Sequence, residues 1–204
     1  MGRGPSRLPL TRGDRSAFIL RVKHEAEPPA RVVDVEQFSQ LNPQHSTFLP
    51  NFARHAFAMH GPSPRRLNVT GPSAAYVTDA RFAAPDPRDA HTYDGDTLVA
   101  YGAVCVACLC APAALGLRAG RVSKRGDKMD YFLEDATGKE VAVLEVKGTN
   151  KGSLEVRLKD ALAQVGESRW RRRPFCKEGF GAAVRFADPA GAAFARYDPS
   201  RRGT

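Results

Sequence analysis

Three charged residues stand where an apolar hairpin would be expected to carry none. Glu145 and Lys147 lie two residues apart in the run "EVAVLEVK", and Asp130 lies near the start of the preceding run, "KMDYFLE". Side chains two residues apart on a strand leave the same face, so Glu145 and Lys147 point in one direction. Burying an isolated charge costs on the order of several kcal/mol. These groups must therefore pair, reach water or bind a ligand.

The turn "DATGK" between the two runs decides whether Asp130 reaches Glu145. A two-residue loop, Thr137–Gly138, pairs the strands so that Asp130 directly faces Glu145, and directly opposed residues share a face. A three-residue loop with a glycine bulge shifts the pairing by one residue. It sends the two carboxylates to opposite faces unless a second bulge corrects the register. The sequence leaves both turns open.

If the two carboxylates converge, they form a site of hard oxygen ligands that suits Mg²⁺ or Mn²⁺. Such an ion neutralises phosphate charge and lowers the pKa of a bound water. A lysine beside the pair can hold the attacking water and stabilise the charge that develops around phosphorus. The trio Asp130, Glu145 and Lys147 therefore indicates metal-assisted hydrolysis of phosphodiester bonds.

The elements around the trio predict an α/β layer sandwich, because helices and strands alternate along this part of the chain. The predicted helices are 97–116, with a break near Pro112, and 153–166; the predicted strands are 120–126, 128–134, 140–147, 181–188 and 192–198. In the second helix, Ser153 is the expected N-cap and Glu155 suits the positive end of the helix dipole. Gly166 is the residue expected to close that helix.

Residues 97–188 resemble the PD-(D/E)xK nuclease superfamily, which has the restriction-endonuclease-like fold. The resemblance is carried by Asp130, Glu145 and Lys147 in the frame "GDKMDYFLEDATGKEVAVLEVKGT", and by the helix that follows. It implies a three-layer core in which a mixed central sheet is flanked by helices. It also implies an enzyme of the Mg²⁺-dependent deoxyribonuclease type.

The same resemblance implies a role for each site residue. Asp130 and Glu145 would ligate the metal together with the backbone carbonyl of Val146. Lys147 would position the attacking water. Gln164, on the second helix, resembles a glutamine that some subgroups place near the site.

The sequence departs from the superfamily pattern in two ways. Met129 stands where many members have a proline, and the helix 97–117 lacks the glutamate that many members supply there. Asp94 and Asp96, just before that helix, are candidate substitutes that also read as turn residues. The number of metal ions is therefore open.

The charge distribution favours a polyanionic partner. The net charge is +9, and the last 36 residues hold nine Lys and Arg against three Asp and Glu, which is two-thirds of that excess. Cations interleaved with aromatic residues suit phosphate contacts and base stacking. The candidate nucleic-acid-binding residues are Arg125, Lys128, Arg169, Arg171, Arg172, Arg173 and Lys177, around Trp170 and Phe175.

Other features of the sequence indicate the cellular location, the relation to membranes and the role of the cysteines. The opening residues lack the apolar core of a secretory signal, and the cysteines suit reduced thiols, so we expect a cytoplasmic location. The uncharged segment 98–117 is long enough to span a membrane, but its Ala, Gly, Cys and Pro content favours a buried core helix. We therefore expect no membrane partner. For Cys105, Cys108, Cys110 and Cys176, inert buried thiols are favoured over a zinc site.

We divide the chain into a less regular N-terminal region, 1–96, of unassigned role with a basic arm at 1–16, and a nuclease-like core, 97–204, with a basic C-terminal segment. DNA is the expected partner, with RNA as the second choice, and a homodimer or a larger protein partner is compatible with the sequence. Host defence or repair would suit such an enzyme by fold-level association. Two alternatives stand beside this interpretation: a surface hairpin with an edge ion pair, and a non-catalytic nucleic-acid-binding or protein-interaction module with a degenerate nuclease fold.

Overall fold

A computed structural model describes residues 32–38, 48–88, 93–123 and 129–201. These residues form an α/β fold, as predicted. Its helices and strands, in chain order, are β1 Val32–Asp34, α1 Leu49–Ala58, β2 Arg65–Thr70, β3 Ala75–Arg81, α2 Gly95–Leu115, β4 Arg118–Val122, β5 Tyr131–Glu134, β6 Glu140–Thr149, α3 Leu154–Glu167, β7 Glu178–Arg185 and β8 Gly191–Arg196.

The strands form one mixed sheet in the order β1-β3-β2-β8-β7-β6-β5-β4. Three pairs are parallel, namely β1 with β3, β2 with β8, and β6 with β7; the other four are antiparallel. The sheet is curled into a half-barrel. Strand β6 lies inside it, and its parallel partner β7 follows through the α3 crossover.

Strand β6 is buried on both faces, which explains its apolar sequence. Leu144 and Val146 pack into the large core that contains α1 and α2. Val143, on the opposite face, packs into a smaller cluster with Val165 of α3 and Trp170. Because neighbouring residues on a strand point to opposite faces, α2 and α3 cover the two sides of the sheet around β6.

Helix α2 is the long apolar helix that the sequence predicts. Asp94 caps its N-terminus by accepting a hydrogen bond from the Thr97 N–H (2.8 Å). The helix runs through Pro112 without the expected break and ends before Gly116, which has φ 71°. Among the described residues, it is the one helix whose length and hydropathy would allow a membrane span. Within its most apolar stretch of 18 residues, 72% is buried inside the protein, as in a core helix.

Helix α3 begins as predicted and ends later than predicted. The Ser153 side chain accepts a hydrogen bond from the Val156 N–H (3.4 Å), which confirms the N-cap. The prediction that Gly166 closes the helix is wrong, because α3 continues to Glu167. A Cβ atom on Gly166 would lie 2.8 Å from the Tyr197 ring, so this glycine allows close packing rather than capping.

The described part of the N-terminal region is more regular than expected. It supplies α1 and three strands that extend the same sheet, with β2 next to β8. The burial of β2 alternates strictly between inside and outside, as in a strand with one covered face. The basic arm at 1–16 lies outside the described residues. The division of the chain at residue 96 stays a prediction, although strands from both sides of it share one sheet.

The packing of α2 on β6 requires a residue without a side chain at position 148. A Cβ atom on Gly148 would lie 2.4 Å from the Val99 carbonyl oxygen and 2.9 Å from Ala103 Cβ. Because these contacts involve the backbone of α2, Gly148→Ala should lower the free energy of unfolding by about 1–3 kcal/mol, measured by urea denaturation.

Gly95→Ala is the matched control. Gly95 is in α2, the helix that packs on Gly148, and a Cβ atom at position 95 meets no described atom within 4 Å. The free energy of unfolding of Gly95→Ala should therefore change by no more than about 0.5 kcal/mol. Equal losses in the two variants would contradict the packing described here.

Candidate active site

The hairpin between β5 and β6 combines the three-residue loop with a second bulge. Asp135 N–H donates to the Lys139 carbonyl (3.0 Å), and Gly138 has the positive φ, 81°, of a glycine bulge. Glu134 consequently pairs with Glu140, but Leu133 pairs with Ala142. The register therefore shifts at Val141, and this second bulge restores the pairing that sets position 130 against 145.

Asp130 lies immediately before β5 and is bound to β6 through its backbone and its side chain. Its N–H donates to the Leu144 carbonyl (3.0 Å). Its carboxylate Oδ2 accepts a hydrogen bond from the Val146 N–H (2.7 Å). The Asp130 side chain thus accepts from a backbone N–H of β6 that has no partner in β5, because β5 begins only at Tyr131. Asp130 is thereby fixed next to Glu145.

Lys147 joins Glu145 to helix α3. Its Nζ donates to Glu145 Oε1 (2.8 Å) and to Gln164 Oε1 (2.6 Å). Gln164 reaches this point because α3 packs closely on β7, where a Cβ atom on Gly181 would lie 3.0 Å from Leu162 Cγ. Gly181 pairs with Glu145 in the parallel register, so β7 contributes no side chain beside the carboxylate.

Both carboxylic acids have raised pKa values. Glu145 is 2% exposed, and its Oε2 has no hydrogen-bond partner within the described structure. Burial, and then the nearby negative charge of Asp130, raise the pKa of Glu145 to about 7, although the Lys147 hydrogen bond opposes the shift. Burial also raises the pKa of Asp130, against the Val146 N–H and the Lys147 charge. The positive charge at the site is thus too small to compensate the negative charges of two ionised carboxylates.

These groups line a cleft of about 640 Å³ at an open stretch of sheet edge. Because β5 starts opposite Leu144, residues 145–149 pair with β7 on one side, and no strand of the described residues pairs with them on the other. Helix α2 approaches this edge from one face of the sheet and α3 from the other. The cleft is lined by Asp96, Val99, Ala100, Tyr101, Val104, Asp130, 145–151, Arg157 and Gln164.

Several residues that line the cleft were not identified from the sequence. Arg157 lies seven residues before Gln164, which places both on one face of α3; this spacing was the available signal. Lys151 lies two residues after the end of β6, at a strand end where ligands gather. Of the two candidate substitutes for a third acid, Asp94 is used as a helix cap and Asp96 lines the cleft.

The arginine-rich candidates lie on the α3 side of the sheet but do not line the cleft. Arg171 lies over the rings of Trp170 (5.5 Å) and Tyr197 (4.8 Å), and Arg173 lies 5.0 Å from the centre of the Phe132 ring. These contacts give the two arginines a structural role in covering the smaller hydrophobic cluster. Arg169, Arg172 and Lys177 are exposed beside them; Arg125 and Lys128 lie outside the described residues.

The four cysteines are free and buried. Cys105, Cys108 and Cys110 are in α2, whereas Cys176 belongs to the cluster on the opposite face of the sheet. Burial raises the pKa of Cys110 to about 12 and that of Cys176 to about 11, so these thiols stay protonated. Within the described ranges, no group of three or more His, Cys, Asp or Glu side chains forms a metal site.

Comparison of the chain with known protein families, curated proteins and solved structures finds no match. The resemblance to the PD-(D/E)xK superfamily therefore stays a prediction from the sequence.

The raised pKa of Glu145 predicts how stability depends on pH. Burial raises the pKa of this carboxyl in the folded protein to about 7, above its ordinary value of 4.5. Its contribution to stability is therefore complete below about pH 4.5 and is lost as the pH rises through 7. Glu145→Gln should flatten the decline in unfolding free energy between pH 5 and 8, and should be more stable than wild type at pH 8 by about 2 kcal/mol.

Glu155→Gln is the control for this measurement, because the Glu155 side chain is 78% exposed. Urea unfolding of all three proteins at several pH values gives the comparison. If Glu145→Gln follows the wild-type pH dependence, the Glu145 carboxylate is not held in the environment described here.

Proposed function

We propose that this protein is a metal-dependent nuclease of the PD-(D/E)xK type that hydrolyses DNA phosphodiester bonds. The observation that carries the proposal is the convergence of Asp130, Glu145, Lys147 and Gln164 in one cleft. These residues come from a hairpin and a separate helix, and the two bulges of the hairpin together keep the register that sets position 130 against 145. A hairpin that served only as scaffold would not need buried charges there.

The donor set fits a hard divalent cation. The buried, unpartnered Oε2 of Glu145 is an acceptor without a donor, and the neighbouring Asp130 carboxylate adds a second source of oxygen ligands. Mg²⁺ characteristically binds one or two carboxylates and completes its shell with water and substrate phosphate, so two acids suffice. Asp130 and Glu145, with the Val146 carbonyl, are the residues that would hold it. When bound, Mg²⁺ would supply charge neutralisation at phosphorus and a water of lowered pKa.

Lys147 is placed to organise the attacking water. Its Nζ is held between Glu145 and Gln164, so its position is fixed before substrate arrives. An ammonium at this point stabilises a developing hydroxide and the added negative charge on the phosphoryl oxygens. Gln164 would act as a positioning residue for Lys147. The exposed Arg169, Arg172 and Lys177 would grip the nucleic-acid backbone outside the cleft.

The test is cleavage of plasmid and linear DNA, and of RNA, with Mg²⁺ or Mn²⁺. Asp130→Asn, Glu145→Gln and Lys147→Met should each lower the cleavage rate by at least about a hundredfold. Gln164→Ala should have a smaller effect, because it acts through Lys147. Circular dichroism of each variant verifies that the fold is retained.

Glu155→Gln and Lys159→Ala are the controls for charge, since both residues are exposed on α3 and pair with one another. They should cleave at the wild-type rate. If wild-type protein binds nucleic acid and never cleaves it with either metal, the chain is the non-catalytic module with a degenerate nuclease fold. Cleavage that persists in Glu145→Gln would also overturn the assignment.

A further inference from the structure

An exposed cluster of aromatic rings lies at the start of α1 and α2. It consists of Phe48, Phe52, Tyr93 and Tyr101, here called the aromatic ledge. Phe52 is its buried anchor, with ring-centre distances of 5.2 Å to Phe48, 4.7 Å to Tyr93 and 5.4 Å to Tyr101. The three outer rings are 38–48% exposed. Single exposed aromatics are common, but a contiguous exposed group indicates a binding surface.

The aromatic ledge is continuous with the candidate active site. Tyr101 belongs to the ledge and also lines the cleft that contains Asp130, Glu145 and Lys147. It stacks on Phe52 with an angle of 25° between the rings, so the orientation of its ring is set by a buried neighbour. One wall of the cleft therefore offers a fixed aromatic surface.

The α3 side of the same cleft is cationic. Lys151 and Arg157 line it together with Lys147. Arg157 lies 3.4 Å from Asp160, a surface pair in which both side chains are 48% exposed, so its charge is weakly engaged. The cleft thus has carboxylates at the sheet edge, cations on one side and an aromatic ring on the other. This arrangement matches a nucleic-acid strand whose phosphates face one wall and whose bases face the other.

We propose that the cleft takes a single, unpaired strand, with a base stacked on Tyr101 and phosphates held by Lys151 and Arg157. The inference rests on the proposed nuclease function and names its substrate class. In a duplex each base face is already covered by its neighbours, whereas an unpaired base offers its face to an aromatic side chain. The cleft volume of about 640 Å³ is that of a small-ligand pocket, which suits a short stretch of strand rather than a duplex.

The experiment measures binding without cleavage, in EDTA, by fluorescence anisotropy. The probes are a labelled 12-nucleotide single strand and the same sequence as a duplex. Wild type should bind the single strand at least tenfold more tightly. Tyr101→Ala should weaken that binding about tenfold, whereas Tyr101→Phe should retain it, because stacking needs the ring and not the hydroxyl.

Two matched controls separate stacking and charge from general surface effects. Met59→Ala removes a side chain of similar exposure, 48%, that lies outside the aromatic ledge and should leave binding unchanged. Arg157→Ala should weaken binding and lower the slope of log affinity against log salt by about one, whereas Lys159→Ala should not.

The outcomes distinguish this inference from the proposed function. Equal or tighter duplex binding, or single-strand binding within twofold of wild type in Tyr101→Ala, overturns the inference even if the protein cleaves DNA. If single-strand binding depends on Tyr101 but neither Mg²⁺ nor Mn²⁺ supports cleavage, the single-strand site is supported and the proposed nuclease function is wrong. If Tyr101→Ala instead dissociates a dimer seen by light scattering and leaves binding intact, the aromatic ledge is an interface between copies and the inference fails.

Discussion

The buried carboxylate of Glu145 is the constraint on which the rest of the site depends. One of its oxygens is paired with Lys147, and the other lies in the protein without a partner. Leaving a buried acceptor unsatisfied costs on the order of 1–3 kcal/mol, and a second acid, Asp130, increases the electrostatic cost of ionisation. A fold keeps such an arrangement at the expense of stability, and a cation bound there during function would remove the deficit.

Small residues on the neighbouring strand and at the end of β6 make this arrangement fit. Gly148 lets α2 approach one face, and Gly181 lets α3 approach the other. The two helices thereby reach the stretch of β6 that β5 leaves uncovered, and they form the walls of the cleft. The catalytic candidates thus sit on rigid strands and a packed helix, which is how preorganised sites are built. The pair of bulges in the hairpin supplies the remaining condition, the register that sets Asp130 beside Glu145.

Much of the core could be predicted from the sequence because its periodicity is strong. The continuous apolar run of β6 and the capped amphipathic pattern of α3 indicated their elements, and the charges on β6 indicated the candidate site. The register could not be predicted, because the bulge at Val141 arises from the pairing between strands and leaves no local turn signal. Tyr101 was missed because tertiary packing alone brings it to the cleft. Lys151 and Arg157 were missed although the end of β6 and the Gln164 face of α3 were available signals for them. The arginine-rich segment was conspicuous in the sequence, yet two of its arginines stack on aromatic rings that close a hydrophobic cluster.

The most direct test of the account is the titration of the Glu145 carboxyl carbon by ¹³C NMR, with and without Mg²⁺. We expect a pKa of about 7 in the metal-free protein, because burial and Asp130 disfavour the charged form. Saturating Mg²⁺ should lower this pKa by at least one unit, since the ion binds the ionised form. A pKa that stays near 7 when Mg²⁺ is added would contradict the assignment of Glu145 as a metal ligand, and with it the central claim.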